Sequence, residues 1–175
     1  MESVEFKTPG TVDEAVALLQ STSGNAKILA GGTDLLVQLR AHMVEPDVIV
    51  DIKHIEETRT LTKNSDGSYT IGAAVAGAEA GDRDDITKDW PGVVEGWELI
   101  GSTQIQGRAS LGGNLCNASP AGDSVPAMVA AGMSVNIAGP SGRRTIAVED
   151  VTVAPGRTSL EKGEFVVSFN LPARP

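Results

Sequence analysis

The residues best suited to chemistry in this sequence lie between Gly107 and Pro126, where the chain reads GRASLGGNLCNASPAGDSVP. Ser110, Asn114, Asn117, Ser119, Asp123 and Ser124 crowd hydrogen-bonding groups into a stretch otherwise poor in charge. Gly112-Gly113 lets backbone N–H groups approach a ligand with no Cβ atom in the way. The stretch is too rich in glycine for a core strand. Pro120 and Pro126 stiffen its exit toward an apolar run, Val125 to Ala131, that reads as a helix. Amides gathered beside a helix start suit a phosphate-bearing ligand. A second glycine pair lies in Ile28-Leu29-Ala30-Gly31-Gly32-Thr33-Asp34-Leu35, with a strand before it and a helix after it. Its amides and the Thr33 hydroxyl fall at a helix N-terminus, where the helix dipole favours negative charge. Two such cradles predict two phosphates, or one diphosphate gripped from both sides.

Taken alone, a Gly-Gly-Thr turn between strand and helix also serves pure geometry. It is neither the G-x-G-x-x-G fingerprint nor a Walker A loop, because the third glycine and the Gly-Lys-Ser/Thr ending are missing. No acid, base or nucleophile stands out beside it. His42 and His54 are isolated and read as surface or packing residues. Trp90 and Trp97 read as core, and Asp82 to Asp85 as a solvated turn. Cys116 reads as a small buried filler, since nothing basic nearby would lower its pKa. Asp123 has two readings, a ligand contact or a cap for the helix that follows it.

The elements that position these residues follow from periodicity. Val4 to Lys7 is a short strand stopped by Pro9-Gly10. Thr11 opens a helix, with Glu14 completing a capping box and Val12, Ala15, Val16 and Leu19 on one face. Ala26 to Ala30 is a buried strand. Leu35, Leu36, Leu39 and Met43 form a second helical face, ended by Pro46. Val48 to Ile52 is a third strand, which completes a small parallel α/β lobe. Beyond it, Arg59 to Lys63 and Tyr69 to Ala73 flank Asn64–Ser68 as a hairpin. Pro91 opens a helix bearing Val94, Trp97 and Ile100. Met133, Val135 and Ile137 alternate as a strand, and Arg143 to Val148 returns after a Gly-Pro-Ser-Gly turn. Phe165, Val167, Phe169 and Leu171 alternate again. The fold class is α+β, with a βαβαβ lobe over residues 1–54 and a larger lobe with a mainly antiparallel sheet over 55–175.

Composition narrows the function. The 175 residues are 41% hydrophobic and 21% charged, an ordinary globular balance. The net charge of −9, without a basic stripe, argues against nucleic acid as a partner. The N-terminus shows no signal peptide, and no apolar run approaches membrane-spanning length, so no membrane partner is expected. Cys116 is the sole cysteine. An intrachain disulfide is impossible, and the chain cannot by itself ligate an iron–sulfur cluster. A reducing, cytoplasmic location follows as an expectation.

The pair LAGGTDLL (Leu29 to Leu36) and SLGGNLCNASPAGDS (Ser110 to Ser124) resembles the two flavin-binding signatures of the FAD subunit of molybdenum hydroxylases. That family includes the flavin domain of xanthine dehydrogenase and the medium subunit of aerobic carbon monoxide dehydrogenases. The resemblance takes in the opening strand and helix, Pro46 to Ile52, Gln104 to Arg108 and Gly163 to Val167, essentially the whole chain.

The resemblance implies a two-lobed FAD-binding fold of the vanillyl-alcohol oxidase and carbon monoxide dehydrogenase flavoprotein type. FAD would extend along the cleft between the lobes. Ile28, Leu29, Ala30, Gly31, Gly32, Thr33, Asp34 and Leu35 would wrap its diphosphate from one side. Ser110, Leu111, Gly112, Gly113 and Asn114 would grip it from the other. Ile100 falls at a position near the cofactor, and Asp123 at one that accepts from a flavin hydroxyl. Leu115 and Cys116 would lie near the isoalloxazine ring. Val167, or Val166 one register away, would make an apolar contact from the last strand. The family continues into a C-terminal domain, with a cofactor-contacting lysine, which is absent from this sequence.

The implied function is that of a flavoprotein subunit of a dehydrogenase complex. It would take electrons from 2Fe-2S clusters in an iron–sulfur subunit, fed by a molybdenum-binding subunit with a molybdopterin cofactor. It would pass them to NAD, oxygen or a quinone, and would not act on substrate alone. The alternative is an assembly subunit that keeps the fold and not the flavin.

Overall fold

Two sheets with different strand directions organise the chain, and the first is built by short-range signals at its N-terminus. In the computed structural model, which describes residues 4–175, strand β1 (Glu5–Lys7) leads into helix α1 (Val12–Ser21). The Thr11 hydroxyl caps α1 by accepting from the Glu14 amide at 3.2 Å. The Glu14 carboxylate reaches back to the Gly10 amide at 2.7 Å, one residue earlier than a standard capping box would take it. Strand β2 (Ala26–Leu29), helix α2 (Leu35–Arg40) and strand β3 (Val48–Asp51) follow. The three strands are parallel in the order β1-β3-β2, which leaves β2 at an edge.

Helix α2 departs from expectation. The spacing predicts an apolar face through Leu35, Leu36, Leu39 and Met43, yet no residue of α2 is buried. Leu36, Val37 and Met43 are 56%, 60% and 71% exposed. The helix is only six residues long and ends where His42 turns left-handed (φ 55°). Periodicity found the helix, but its predicted face is only partly covered, with Leu35 and Leu39 half-buried and Leu36 and Met43 exposed.

After α3 (Glu56–Arg59), the hairpin β4 (Leu61–Lys63) and β5 (Tyr69–Gly72) forms around the Asn64–Ser68 loop. Helices α4 (Gly77–Gly81), α5 (Asp84–Asp89), α6 (Pro91–Glu98), α7 (Thr103–Gln106), α8 (Leu111–Cys116) and α9 (Val125–Ala130) come next. They are followed by β6 (Ser134–Gly139), β7 (Gly142–Ala147), the small β8 (Thr152–Ala154) and β9 (Arg157–Thr158) pair, and β10 (Phe165–Leu171). The large sheet is antiparallel throughout, in the order β4-β5-β10-β6-β7. Its helix-facing core includes Tyr69, Trp97, Leu111, Leu115 and Phe169, all fully buried. Trp90 packs against the same core and donates its indole N–H to the Pro172 carbonyl at 3.0 Å.

The central strand β10 carries a bulge between Val166 and Ser168, so the alternation predicted for Phe165, Val167, Phe169 and Leu171 breaks in the middle. An extra residue inverts which side chains face which way beyond it. Phe165 and Val167 join Val12, Ala15 and Leu19 of α1 in the core between the two lobes. Val166, Phe169 and Leu171 join the helix-side core. The bulge thus moves Phe169 and Leu171 from the face of Phe165 and Val167 to the helix side, where they join Val166.

Candidate functional site

Between the lobes lies a cleft of about 800 Å³, within the range of small-molecule and cofactor sites. One wall is the turn from β2 into α2. Gly32 holds φ at +80°, a conformation that favours glycine. The Leu36 amide donates to the Gly32 carbonyl at 3.0 Å, which starts the helical turn there. None of the N–H groups of Gly31, Gly32, Thr33, Asp34 and Leu35 finds an acceptor among the described residues. Five successive amides at the mouth of a cleft, all without partners, form a nest for an anion.

The opposite wall is α8, and here the structure corrects the sequence reading. The sequence reads Gly112-Gly113 as a cradle of amides ahead of a helix over Val125 to Ala131; it is instead the first turn of a helix of its own. Leu111 and Leu115, at i and i+4, are fully buried and fix this helix in the core. Tertiary burial overrides the roughly 1 kcal/mol that each interior glycine costs a helix. The amides are also less free than expected. Gly112 donates to the Ala73 carbonyl at 3.2 Å, Gly113 to the Ser110 hydroxyl at 3.2 Å, and Asn114 to the Ser110 carbonyl at 3.0 Å. The two walls are therefore unlike: one is a nest of free donors, the other a glycine surface whose amides are largely satisfied.

The two glycines of α8 have different reasons. A Cβ at Gly112 would sit 2.5 Å from the Ala73 carbonyl oxygen, so the fold needs that glycine. A Cβ at Gly113 would meet only the Ser110 hydroxyl oxygen, at 3.3 Å, and Gly113 is exposed on the cleft wall. The packing of the chain leaves Gly113 nearly unexplained; a ligand lying flat against α8 explains it.

Polar groups brace the cleft. Asn114 Oδ1 accepts from the Ser124 amide (3.2 Å) and hydroxyl (2.8 Å), tying α8 to the start of α9. Gln38 donates to the Asp34 carboxylate and, at 3.4 Å, to Asn117 Oδ1, so it spans the two lobes. Asp123 lines the cleft and is exposed, while α9 has no side-chain cap, so the cap reading of Asp123 is not what the structure shows. On the far side, Arg144 grips Glu164 with two hydrogen bonds, at 2.8 and 2.7 Å, and holds its carboxyl below the usual range. A depressed carboxyl stabilises the fold above its ordinary pKa and loses that contribution as pH falls through the lowered one. The Arg144 clamp on the loop before β10 is therefore expected to hold at neutral pH and release in acid. Burial pushes the Cys116 thiol up to about 12. We expect slower reaction with a disulfide reagent at pH 8 in the folded protein than after unfolding, and Cys116→Ala should keep cofactor affinity within about twofold.

Of the residues singled out in the sequence, Ile28, Ala30, Gly31, Gly32, Thr33, Asp34, Leu35, Ile100, Ser110, Gly112, Gly113, Asn114, Cys116 and Asp123 line this cleft. Leu29, Leu111, Leu115 and Val167 do not; all four are buried, Leu111 and Leu115 in the helix-side core and Val167 in the core between the lobes. On β10 it is Val166 that reaches the cleft, because successive residues of a strand face opposite ways and Val167 shares the other face with Phe165. Sequence reasoning passed over Lys27, Gln38, Ile105, Leu160 and Lys162. Gln38 had a signal, one helical turn beyond Asp34. Leu160 and Lys162 had none, since a distant loop brings them in.

The sequence matches, over residues 2–174, the family described as the FAD binding domain in molybdopterin dehydrogenase. The chain belongs to that family. It is 33% identical over 170 residues to the xanthine dehydrogenase FAD-binding subunit of Escherichia coli O157:H7, covering 97% of this chain and 58% of that subunit. It is 29% identical over 175 residues to the nicotine 6-hydroxylase medium subunit of Paenarthrobacter nicotinovorans, covering 100% of this chain and 61% of the relative. A solved carbon monoxide dehydrogenase from Hydrogenophaga pseudoflava, lacking the Mo-pyranopterin moiety of its cofactor, superposes with a TM-score of 0.92 at 29% identity. That match covers 97% of this chain and 59% of the other. The chain thus spans about three fifths of the length of these proteins.

The cleft fits FAD on its own evidence. The five free amides offer donors to a diphosphate, the bare surface at Gly113 admits close approach, and the volume suits an extended dinucleotide. Among the described residues no helix is long and apolar enough to cross a membrane.

Proposed function

We propose that this chain is the FAD-binding portion of the flavoprotein component of a molybdenum hydroxylase complex. Residues 1–54 and 55–175 would form the two lobes that close on the cofactor. The observation that carries this reading is the pairing of free amides at Gly31 to Leu35 with the bare α8 surface at Gly113 across one cleft.

The Gly31 to Leu35 amides and the Thr33 hydroxyl would hold the diphosphate, with Asp34 and Leu35 continuing the wall along α2. Ser110, Gly112, Gly113 and Asn114 would form the facing surface, held rigid by the Asn114–Ser124 brace. Ile100 and Val166 would supply apolar contact, and Asp123 would accept from a cofactor hydroxyl. Leu29, Leu111, Leu115 and Val167 would act from behind, by fixing these walls. When bound, FAD would supply the ability to take up and release electrons; the protein contributes binding, orientation and electrostatics. Cys116, with its raised pKa, would stay a neutral thiol and take no part in electron transfer.

The names of the relatives support the wider role. They are FAD-binding or medium subunits of enzymes with different substrates, xanthine in one and nicotine in another. The substrate would then be chosen by a molybdenum-binding partner, with 2Fe-2S clusters of an iron–sulfur partner passing electrons to this chain and NAD, oxygen or a quinone accepting them. The test is anaerobic substrate addition to the full-length flavoprotein with its cognate partners. Flavin absorbance is expected to bleach in the complex and to stay unchanged with the flavoprotein alone. Bleaching without partners would refute this division of labour.

Asp123 gives a further expectation. Asp123→Ala should weaken FAD by about 1.5–3 kcal/mol, the value of a hydrogen bond to a charged group. With no capping bond to lose, the melting temperature of the FAD-free protein should hardly move. Titration of FAD into both proteins, with melting curves beside it, checks the pair of statements.

A further inference from the structure

We propose that Lys27 and Lys162, one from each lobe, supply the positive charge that a diphosphate in this cleft requires; the inference rests on the FAD reading above. The chain is acidic, with a net charge of −9, and Asp34, Asp123, Glu161 and Glu164 all line the cleft. Against them the lining holds two cations, Lys27 and Lys162. Neither lysine makes an ion pair among the described residues, although seven other cationic side chains do.

The need for them follows from the unequal walls. The free amides of Gly31 to Leu35 offer partial charges on one side only. The α8 amides of Gly112, Gly113 and Asn114 are already engaged with Ala73 and Ser110. A dianionic group entering an acidic protein meets an unfavourable field unless full charges offset it.

Both lysines are placed for this. Lys27 stands half-buried on the edge strand β2, whose continuation is the amide turn itself. Its ammonium has no carboxylate partner among the described residues to compete with an incoming anion. Lys162 stands on the loop before β10, whose shape is fixed on both sides. Glu164 is clamped by Arg144 and accepts from the Glu161 amide at 2.8 Å. Gly163 (φ +86°) lies so close to α1 that a Cβ there would be 2.7 Å from Gln20 Oε1. The exposed Lys162 thus springs from a loop held where the second lobe touches the first.

The test is FAD titration into wild type, Lys27→Met, Lys162→Met and the double variant, at about 20 mM and about 0.5 M salt. Methionine keeps the apolar stem, and melting curves of the FAD-free proteins report whether each variant is folded. At low salt each substitution should weaken FAD about fivefold and the double about 25-fold, as expected for partly screened charges. At high salt the four proteins should agree within about twofold. A double variant that binds like wild type at low salt overturns the proposal. So does a loss of equal size at both salts, which would mark packing rather than charge. A folded wild type that binds no FAD at either salt would instead overturn the cofactor reading, and this proposal with it.

Discussion

Gly113→Val is expected to lose FAD by about 100-fold or more, a change of about 2.7 kcal/mol in binding, while the FAD-free protein melts at or slightly above the wild-type temperature. Only the Ser110 hydroxyl oxygen, at 3.3 Å, stands near the new Cβ, so the fold has little to resist it. Gly113 is also inside a helix, where valine costs a few tenths of a kcal/mol less than glycine. The side chain projects into the cleft, where it would hold a ligand off the α8 surface. Fluorescence titration with FAD and a melting curve measure the two halves of the statement. A Gly113→Val protein that retains stoichiometric FAD would show that no ligand lies against α8.

Gly31→Ala should do the opposite kind of damage. Its Cβ would fall 1.9 Å from the Arg108 carbonyl oxygen and 2.7 Å from the carbon behind it, both backbone atoms of the other lobe. No side chain can rotate out of the way, so the lobes must part or the turn must rebuild. Overpacking of this kind costs about 3 kcal/mol, which for a chain of this length lowers the melting temperature by roughly 6–12 °C. Loss should appear in the FAD-free protein, before any cofactor is added. An unchanged melting curve would mean that the close contact between the Gly31 turn and Arg108 does not exist in solution.

The contrast between these two glycines shows what the sequence could and could not convey. Both stand in Gly-Gly pairs and read alike as places for close backbone approach. Only the structure shows that Gly31 makes room for its own chain and Gly113 for something else. Signals within a few residues of one another were legible: the Thr11–Glu14 cap, the Asn64–Ser68 hairpin and the parallel βαβαβ order. The amide turn before α2 was also legible, since a strand, two glycines and a helix start are contiguous.

What escaped depends on distant neighbours. Helix α8 is stabilised by burial of Leu111 and Leu115 and by the Ala73 carbonyl, against the propensity of Gly112-Gly113, so a local reading does not find a helix there. The same burial explains why those two leucines support the cleft without lining it. The bulge at Val166 to Ser168 leaves no mark in an alternating apolar strand, so the shift of Phe169 and Leu171 to the face of Val166 was not legible, and of the register left open between Val166 and Val167 it is Val166 that stands at the cleft. On α2 the periodicity was real, and what failed was the assumption that an apolar face always has a partner within the same stretch of chain.

Residue-by-residue amide hydrogen exchange, with and without FAD, tests the central claim most directly: that the cofactor is gripped by free amides on one wall and lies against a satisfied surface on the other. Saturating FAD is expected to slow exchange at Gly31, Gly32, Thr33, Asp34 and Leu35, whose N–H groups have no acceptor among the described residues. It should change Gly112, Gly113 and Asn114 much less, because their N–H groups are already bonded. Protection confined to α8, with Gly31 to Leu35 exchanging as fast as before, would contradict the assignment of the anion nest and with it the proposed mode of binding.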